Sequence, residues 1–148
     1  MEHDLAMRYT YEIVCALEYM HDMCVMHRDM KPENIMIGDD GHLRLIDFGD
    51  AKEFDSKNLA EKIETYINPE NVDQLENSFD MTSGSIIQAR PTFCGTPYYV
   101  SPEMLEESLA LPASDLWALG CIVFRMHTGK MPFEGPNEME TFNLIVER

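Results

Sequence analysis

The strongest constraint on this chain is the segment HRDMKPEN at residues 27–34, which places acids, cations and an amide within eight positions. Apolar residues flank it on both sides, as MCVM before it and IMI after it. Short apolar runs are typical of buried segments, so the polar residues between them are expected on a loop held by two buried elements. An ordinary connecting loop needs no such set, whereas a site for a metal, a phosphate and a proton acceptor does.

Two helices are predicted from the spacing of apolar residues. In residues 4–22 these occur at three- and four-residue steps, and the expected buried face consists of Leu5, Tyr9, Ile13, Leu17 and Met20. The second helix is expected to have Ser114 as its N-cap and to end at Gly129. It is apolar nearly all round, which predicts a buried helix whose core residues are Leu116, Leu119, Ile122, Val123 and Met126.

Two short β-like runs, NIMI and LRLI, are separated by GDDGH, and Asp40-Gly41 predicts a hairpin turn between them. A calcium loop is the weaker interpretation, because the twelve-residue spacing of acids and a closing glutamate are absent. From residue 55 to residue 88 the chain is polar, with seven acids and two lysines, which is typical of a long insertion. A short helix is predicted within it after Ser56, ended by Asn68-Pro69.

The composition excludes several classes of partner. A net charge of -16 argues against non-specific binding to nucleic acid or to an anionic membrane. The sequence shows no C-x-x-C pair and no run near the roughly 18 apolar residues of a membrane span, and its charged first residues predict no signal peptide. We therefore expect a cytoplasmic protein. The four cysteines are Cys15, Cys24, Cys94 and Cys121.

The polar residues match the requirements of phosphoryl transfer. That reaction needs a carboxylate for the attacking hydroxyl, a cation for the transferring phosphate and oxygen ligands for magnesium. Asp29 suits the first role and Lys31 the second. Asn34 and Asp47 supply the hard oxygen ligands that Mg²⁺ prefers.

The segments HRDMKPEN, DFG and SPE together resemble the signatures of protein kinases. Asn34 follows Asp29 by five residues and Asp47 follows it by eighteen, as expected of that family. SDLWALG resembles the buried central helix of the kinase C-lobe, and GTPYYVSPE is similar to serine/threonine kinases. Finer similarities, such as YTYEIVCALEYMH, indicate the AGC group and its phosphoinositide-dependent branch.

The resemblance implies ATP and Mg²⁺ as reactants at the site, with Asp29 as the proton acceptor. Lys31 would contact the γ-phosphate, and Thr96 would hydrogen-bond to both of these residues. Asn34 and Asp47 would hold magnesium. The remaining nucleotide contacts would come from Glu33, near the ribose and the substrate peptide, and from Met36, under the adenine.

The resemblance also implies regulatory and structural residues. Arg28 would receive a phosphate carried by Thr92 on the activation segment, although Thr82, Ser83 and Ser85 lie nearby. The structural residues would be His27 and Phe48, stacked between the lobes, Asp115, which would hold the HRD backbone, and Glu103 of SPE. We expect Glu103 to lack its usual arginine partner, which belongs to a later helix of the family.

The family's N-lobe motifs are absent, since no G-x-G and no VAIK-like strand occur in the sequence. We therefore expect an α+β fold in which residues 1–148 form a partial kinase domain, the mostly helical C-lobe, with an inserted activation segment at about 55–90. The expected partners are protein substrates, including other AGC kinases. Two hypotheses remain: a fragment of an active serine/threonine kinase, inactive in isolation, or a truncated non-catalytic module that binds kinase partners. The intact catalytic side chains favour the first.

Overall fold

The computed structural model describes residues 1–67 and 98–147, and its fold is α+β as expected. The helices are α1 (His3–Asp22), α2 (Ser56–Ile67), α3 (Pro102–Glu106), α4 (Pro112–Thr128) and α5 (Glu138–Val146). The strands are β1 (Val25–Met26), β2 (Ile35–Ile37), β3 (Leu43–Leu45) and β4 (Lys52–Glu53), and a 3₁₀ turn covers Pro32–Asn34. No helix within these described ranges is long and apolar enough to cross a membrane.

Helix α1 spans nearly the predicted range, but one residue of its buried face was predicted wrongly. Leu5 is 37% exposed, and Ala6 is buried in its place. A four-residue step turns about 40° beyond a full helical turn, so a stripe built from such steps drifts around the helix. Leu5 therefore lies at the edge of the stripe that Tyr9, Ile13 and Leu17 continue.

Helix α4 begins earlier than predicted and is buried on fewer sides. Leu111 is its N-cap and Pro112 its first residue, so Ser114 is not the cap. The Ser114 hydroxyl instead accepts a hydrogen bond from the Leu111 N–H at 3.1 Å. Gly129 ends the helix with a left-handed φ of 72°, as predicted. Leu116 is 52% exposed, because α4 buries the side that packs against α1 rather than its whole circumference.

The core joins α1, α4 and the segment after β1. The Met30 side chain enters this core from the polar loop, so the loop is anchored by its own apolar residue. The hairpin strands β2 and β3 pack their half-buried side chains on the same cluster. The buried cluster consists of Ile13, Leu17, Met30, Ala118, Leu119 and Ile122, and the hairpin adds Ile35, Leu43 and Leu45.

The two small sheets are nested in sequence: the strands of one sheet, β2 and β3, lie between the strands of the other, β1 and β4. β2 pairs antiparallel with β3, and β1 pairs antiparallel with β4, with Met26 opposite Lys52. The predicted hairpin turn is confirmed, and Gly41 has the left-handed φ of 75° that such a turn requires. Because the inner ladder lies between the two strands of the outer ladder in sequence, residues 27–34 and 46–51 both connect one ladder to the other. This nesting brings the two polar segments together.

Helix α2 covers the short helix that the sequence predicts after Ser56. The predicted stop at Asn68-Pro69 and the rest of the polar insertion lie outside the described residues.

Replacing Leu17 by alanine should lower the free energy of unfolding by about 2–5 kcal/mol, since Leu17 is buried in the cluster shared by α1 and α4. Val14, on the exposed side of the same helix, provides the matched control, and Val14→Ala should change stability by about 0.5 kcal/mol or less. Urea denaturation measures both. Equal losses in the two variants would contradict this description of the core.

Candidate active site

Two side chains of HRDMKPEN converge on the carboxylate of Asp29. Lys31 Nζ lies 2.6 Å from Asp29 Oδ2, and Asn34 Nδ2 donates to the same oxygen at 2.8 Å. Asn34 Nδ2 also donates to the Asp29 backbone carbonyl at 2.7 Å. The 3₁₀ turn brings this about, because it begins at Pro32 and folds Asn34 back towards Asp29. Asn34 is buried while Asp29 and Lys31 remain partly open to solvent, so the carboxylate is fixed but accessible.

The Lys31 ammonium is held in its charged form. Its hydrogen bond to Asp29 raises the pKa of Lys31, and partial burial opposes this without reversing it. The negative charges of Asp29, Glu33 and Asp47 raise the same pKa further. A fixed cation therefore lies among three acids.

Asp47 lies at the same end of the hairpin as Asn34. The Ile46 N–H donates to the Asn34 carbonyl at 2.9 Å, which extends the β2–β3 ladder by one pair. Asp47 follows directly, is exposed, and has a left-handed φ of 60°. Asparagine and aspartate at adjoining backbone positions supply two hard oxygen donors. The Asn34 Nδ2 is committed to Asp29, which leaves its amide oxygen as the donor, and two oxygen donors are the ligand type that Mg²⁺ prefers.

Asp115 of α4 holds the start of the polar loop. Its carboxylate is 1% exposed and accepts hydrogen bonds from the backbone N–H groups of His27 at 2.9 Å and Arg28 at 2.8 Å. His21 Nε2 lies 2.9 Å from the same carboxylate. Arg28 has a left-handed φ of 67°, which is uncommon for a non-glycine residue and costs about 1–3 kcal/mol. The bond to Asp115 offsets part of this strain.

His27 is buried, and its ring contacts Phe48 with centroids 5.2 Å apart. His27 Nε2 lies 3.2 Å from the Ile46 carbonyl, so the ring connects the HRD segment to the segment that carries Asp47. Phe48 is about half exposed. The two rings predicted to stack are thus in contact but tilted by 49° to each other.

The remaining predicted site residues form no hydrogen bond with the Asp29 carboxylate within the described part of the chain. Glu103 accepts a hydrogen bond from the Ser114 hydroxyl at 2.6 Å, and the expectation that it lacks its usual arginine partner stays a prediction. Glu33 is exposed, and Met36 is 55% exposed on β2. Thr92 and Thr96 lie outside the described residues.

Sequence reasoning missed two contributors. His21 reaches Asp115 across 94 positions, and no local spacing relates the two. The Tyr99 hydroxyl oxygen accepts a hydrogen bond from Arg125 Nη1 at 2.7 Å, and burial is the main cause that raises the pKa of the Tyr99 phenol. His21 lies next to Met20, the last buried residue of α1, but this position does not indicate which element His21 contacts.

Comparison with known proteins decides the family. Residues 1–148 match the protein kinase domain. This chain belongs to the protein kinase family. The kinase chain is 40% identical to human 3-phosphoinositide-dependent protein kinase 1 over 139 residues, which is 94% of this chain and 20% of that protein.

Similar relatives occur in distant organisms. The kinase chain is 39% identical over 145 residues to 3-phosphoinositide-dependent protein kinase B of Dictyostelium discoideum, covering 98% of this chain and 13% of that protein. It is 37% identical over 148 residues to 3-phosphoinositide-dependent protein kinase 1 of Arabidopsis thaliana, covering 100% of this chain and 26% of that protein. The chain therefore spans about a fifth of the length of these relatives.

Replacing Asp115 by asparagine should destabilise this kinase chain by about 1–3 kcal/mol, because an amide NH₂ would face at least one of three N–H donors. Asp50→Asn, at an exposed position, is the matched control. Chemical denaturation measures stability, and hydrogen exchange should accelerate at residues 27–28. If Asp115→Asn matched the control in both measurements, Asp115 would not be the anchor of the loop.

Proposed function

We propose that this chain is the C-lobe part of a serine/threonine protein kinase, which transfers the ATP γ-phosphoryl group to a protein hydroxyl. The observation that carries the proposal is the Asp29 carboxylate, whose Oδ2 is bound by both Lys31 at 2.6 Å and Asn34 at 2.8 Å. On this proposal residues 1–148 are a partial kinase domain with an inserted activation segment at about 55–90.

Asp29 acts as the proton acceptor. Two donors on Oδ2 restrict the rotation of the carboxylate, and among the described residues they leave Oδ1 for the substrate hydroxyl. A positioned base of this kind typically contributes about 10²–10⁴-fold to the rate. Lys31 contacts the γ-phosphoryl oxygens, since its ammonium lies next to the base and stays charged. Thr96 is proposed to bind both residues from the segment before Tyr98.

Asn34 and Asp47 would hold Mg²⁺ through the amide oxygen of one and the carboxylate of the other. When bound, the ion neutralises charge on the nucleotide phosphates. Glu33 and Met36, both exposed beside this end of the hairpin, are proposed to contact the ribose and the adenine of ATP. An open apolar side chain such as Met36 suits a flat base.

Regulation is proposed to act through Arg28 and Thr92. Arg28 is half-buried, and Asp115 fixes its backbone position next to the base, Asp29. The Arg28 side chain therefore starts from a fixed position. A phosphate on Thr92 would add about -1.5 to -2 charge units, for which arginine supplies a planar fork of donors. The proposed partners are protein substrates, with other AGC kinases among them, and the proposed compartment is the cytoplasm.

Asp29→Asn should lower kcat at least about a hundredfold with little change in ATP affinity, because it removes the proton acceptor but retains the side-chain shape. Asp47→Asn should instead weaken binding of Mg²⁺-ATP. Steady-state kinetics and nucleotide titration are measured in the longest natural protein that contains this chain, with Asp39→Asn at the exposed hairpin turn as control.

Loss of ATP binding in both variants with unchanged turnover at saturation would refute these roles. Nucleotide binding without any transfer in the unmodified protein would instead favour the non-catalytic module.

Phosphorylation of Thr92 should slow tryptic cleavage between residues 55 and 90, because pairing with Arg28 would hold the segment against the loop. Arg28→Gln should remove the protection, and Thr82→Ala should leave it intact. Limited proteolysis followed by mass spectrometry measures the cleavage sites. Equal cleavage rates with and without the phosphate would count against the pairing.

A further inference from the structure

Glu12 of α1 accepts hydrogen bonds from three groups. The Leu43 N–H donates to Glu12 Oε2 at 2.7 Å, and His42 Nδ1 and Arg8 Nε lie 3.0 and 3.1 Å from Oε1. Arg8 then continues to the turn, where its Nη2 donates to the Gly41 carbonyl at 2.6 Å. The Glu12 side chain is only 17% exposed although it sits on a surface helix. Two residues of α1 thus hold three consecutive residues of the hairpin, 41–43.

The Leu43 N–H is an edge donor that β2 does not satisfy. The ladder bonds join Gly38 to His42 and Ile46 to Asn34. Because bonding positions alternate along an antiparallel pair, the intervening Leu43 directs its N–H away from β2, towards α1. The Glu12 carboxylate takes the place that a third strand would occupy, and this contact defines how the hairpin lies on α1.

We infer that Glu12 is a positioning residue for the magnesium ligands: together with Arg8 it fixes the hairpin whose other end carries Asn34 and Asp47. This inference rests on the proposed function. A two-stranded hairpin is marginal on its own, so its placement depends on what it is attached to. Leu43 precedes Asp47 by four residues, about 13 Å along a strand, so Glu12 acts through the backbone and not by contact with the reacting groups.

Helix α1 serves as the shared support of both halves of the site. Glu12 binds the hairpin, and His21, nine residues further along the same helix, binds Asp115, which holds the start of the polar loop. Nine residues of helix span about 14 Å and form a stiff spacer. Helix α1 therefore supports both the start of the loop that carries the base and the hairpin that leads to Asp47, while Asn34 is also held directly by Asp29.

The charge of Glu12 is needed for this contact. The backbone hydrogen bond from Leu43 lowers the pKa of Glu12 and outweighs the opposing effect of burial, and Arg8 and His42 lower the pKa further. The contact therefore stabilises the fold above the ordinary pKa of a glutamate. It is lost as the pH falls through the lowered pKa of the folded state.

Glu12→Gln tests the inference, because the amide keeps the shape but places an NH₂ against one of the three donors. Affinity for Mg²⁺ in the ADP complex should fall about tenfold or more, as typical for residues that orient metal ligands. Hydrogen exchange should accelerate at residues 35–46 but not in α4. Glu18→Gln, at an exposed position of the same helix, is the matched control and should change neither.

A double-mutant cycle separates positioning from general destabilisation. If Glu12 acts through the hairpin ligands, Glu12→Gln should have little further effect on Mg²⁺ affinity in the Asp47→Asn background. Full additivity would overturn the inference. If Glu12→Gln fails to fold, Arg8→Gln removes only the contacts of a half-exposed side chain and should shift Mg²⁺ affinity in the same direction to a smaller extent.

The two proposals fail in different ways. If Asp47→Asn leaves Mg²⁺ affinity unchanged, the proposed ligand set is wrong. If Asp47→Asn weakens Mg²⁺ binding while Glu12→Gln and Arg8→Gln behave like Glu18→Gln, only the positioning role of Glu12 is wrong.

Discussion

The buried carboxylate of Asp115 is the interaction on which the site depends. A charge removed from water is costly unless hydrogen bonds satisfy it, and Asp115 has two backbone N–H groups and the His21 ring. Those same bonds fix the backbone immediately before Asp29, including the left-handed Arg28. One set of contacts therefore has two effects. It satisfies the buried acid of α4, and it fixes the backbone of the polar loop.

The short strands and loops that carry the site residues are held rigid by the larger helices α1 and α4. The strands contain two or three residues each, too few to be stable alone. Their nested pairing places residues 27–34 beside residues 46–51, and the α1–α4 core supports both through Met30 and the apolar side chains of the hairpin. A preorganised site needs such support from packed neighbours, since an error of about 1 Å in position is enough to lose its function.

The acidic character of the chain is compatible with a phosphate substrate. The net charge is -16, and Glu33 and Asp47 act with Asp29 on the Lys31 ammonium. Carboxylates alone would repel a nucleotide, but a bound divalent cation reverses the local sign. The negative charge of the chain is therefore compatible with the proposed Mg²⁺-nucleotide reactant.

Local sequence determined what depends on near neighbours: the extent of α1, the start of α2, the turn at Gly41, and the convergence of Lys31 and Asn34 on Asp29 within five residues. Tertiary structure decided what depends on distant partners. Packing against α1 determined which side of α4 is buried, and therefore why Leu116 is exposed. The contacts of His21 with Asp115 and of Glu12 with Leu43 span 94 and 31 positions. No periodicity records them, because they arise only when α1 lies against both α4 and the hairpin.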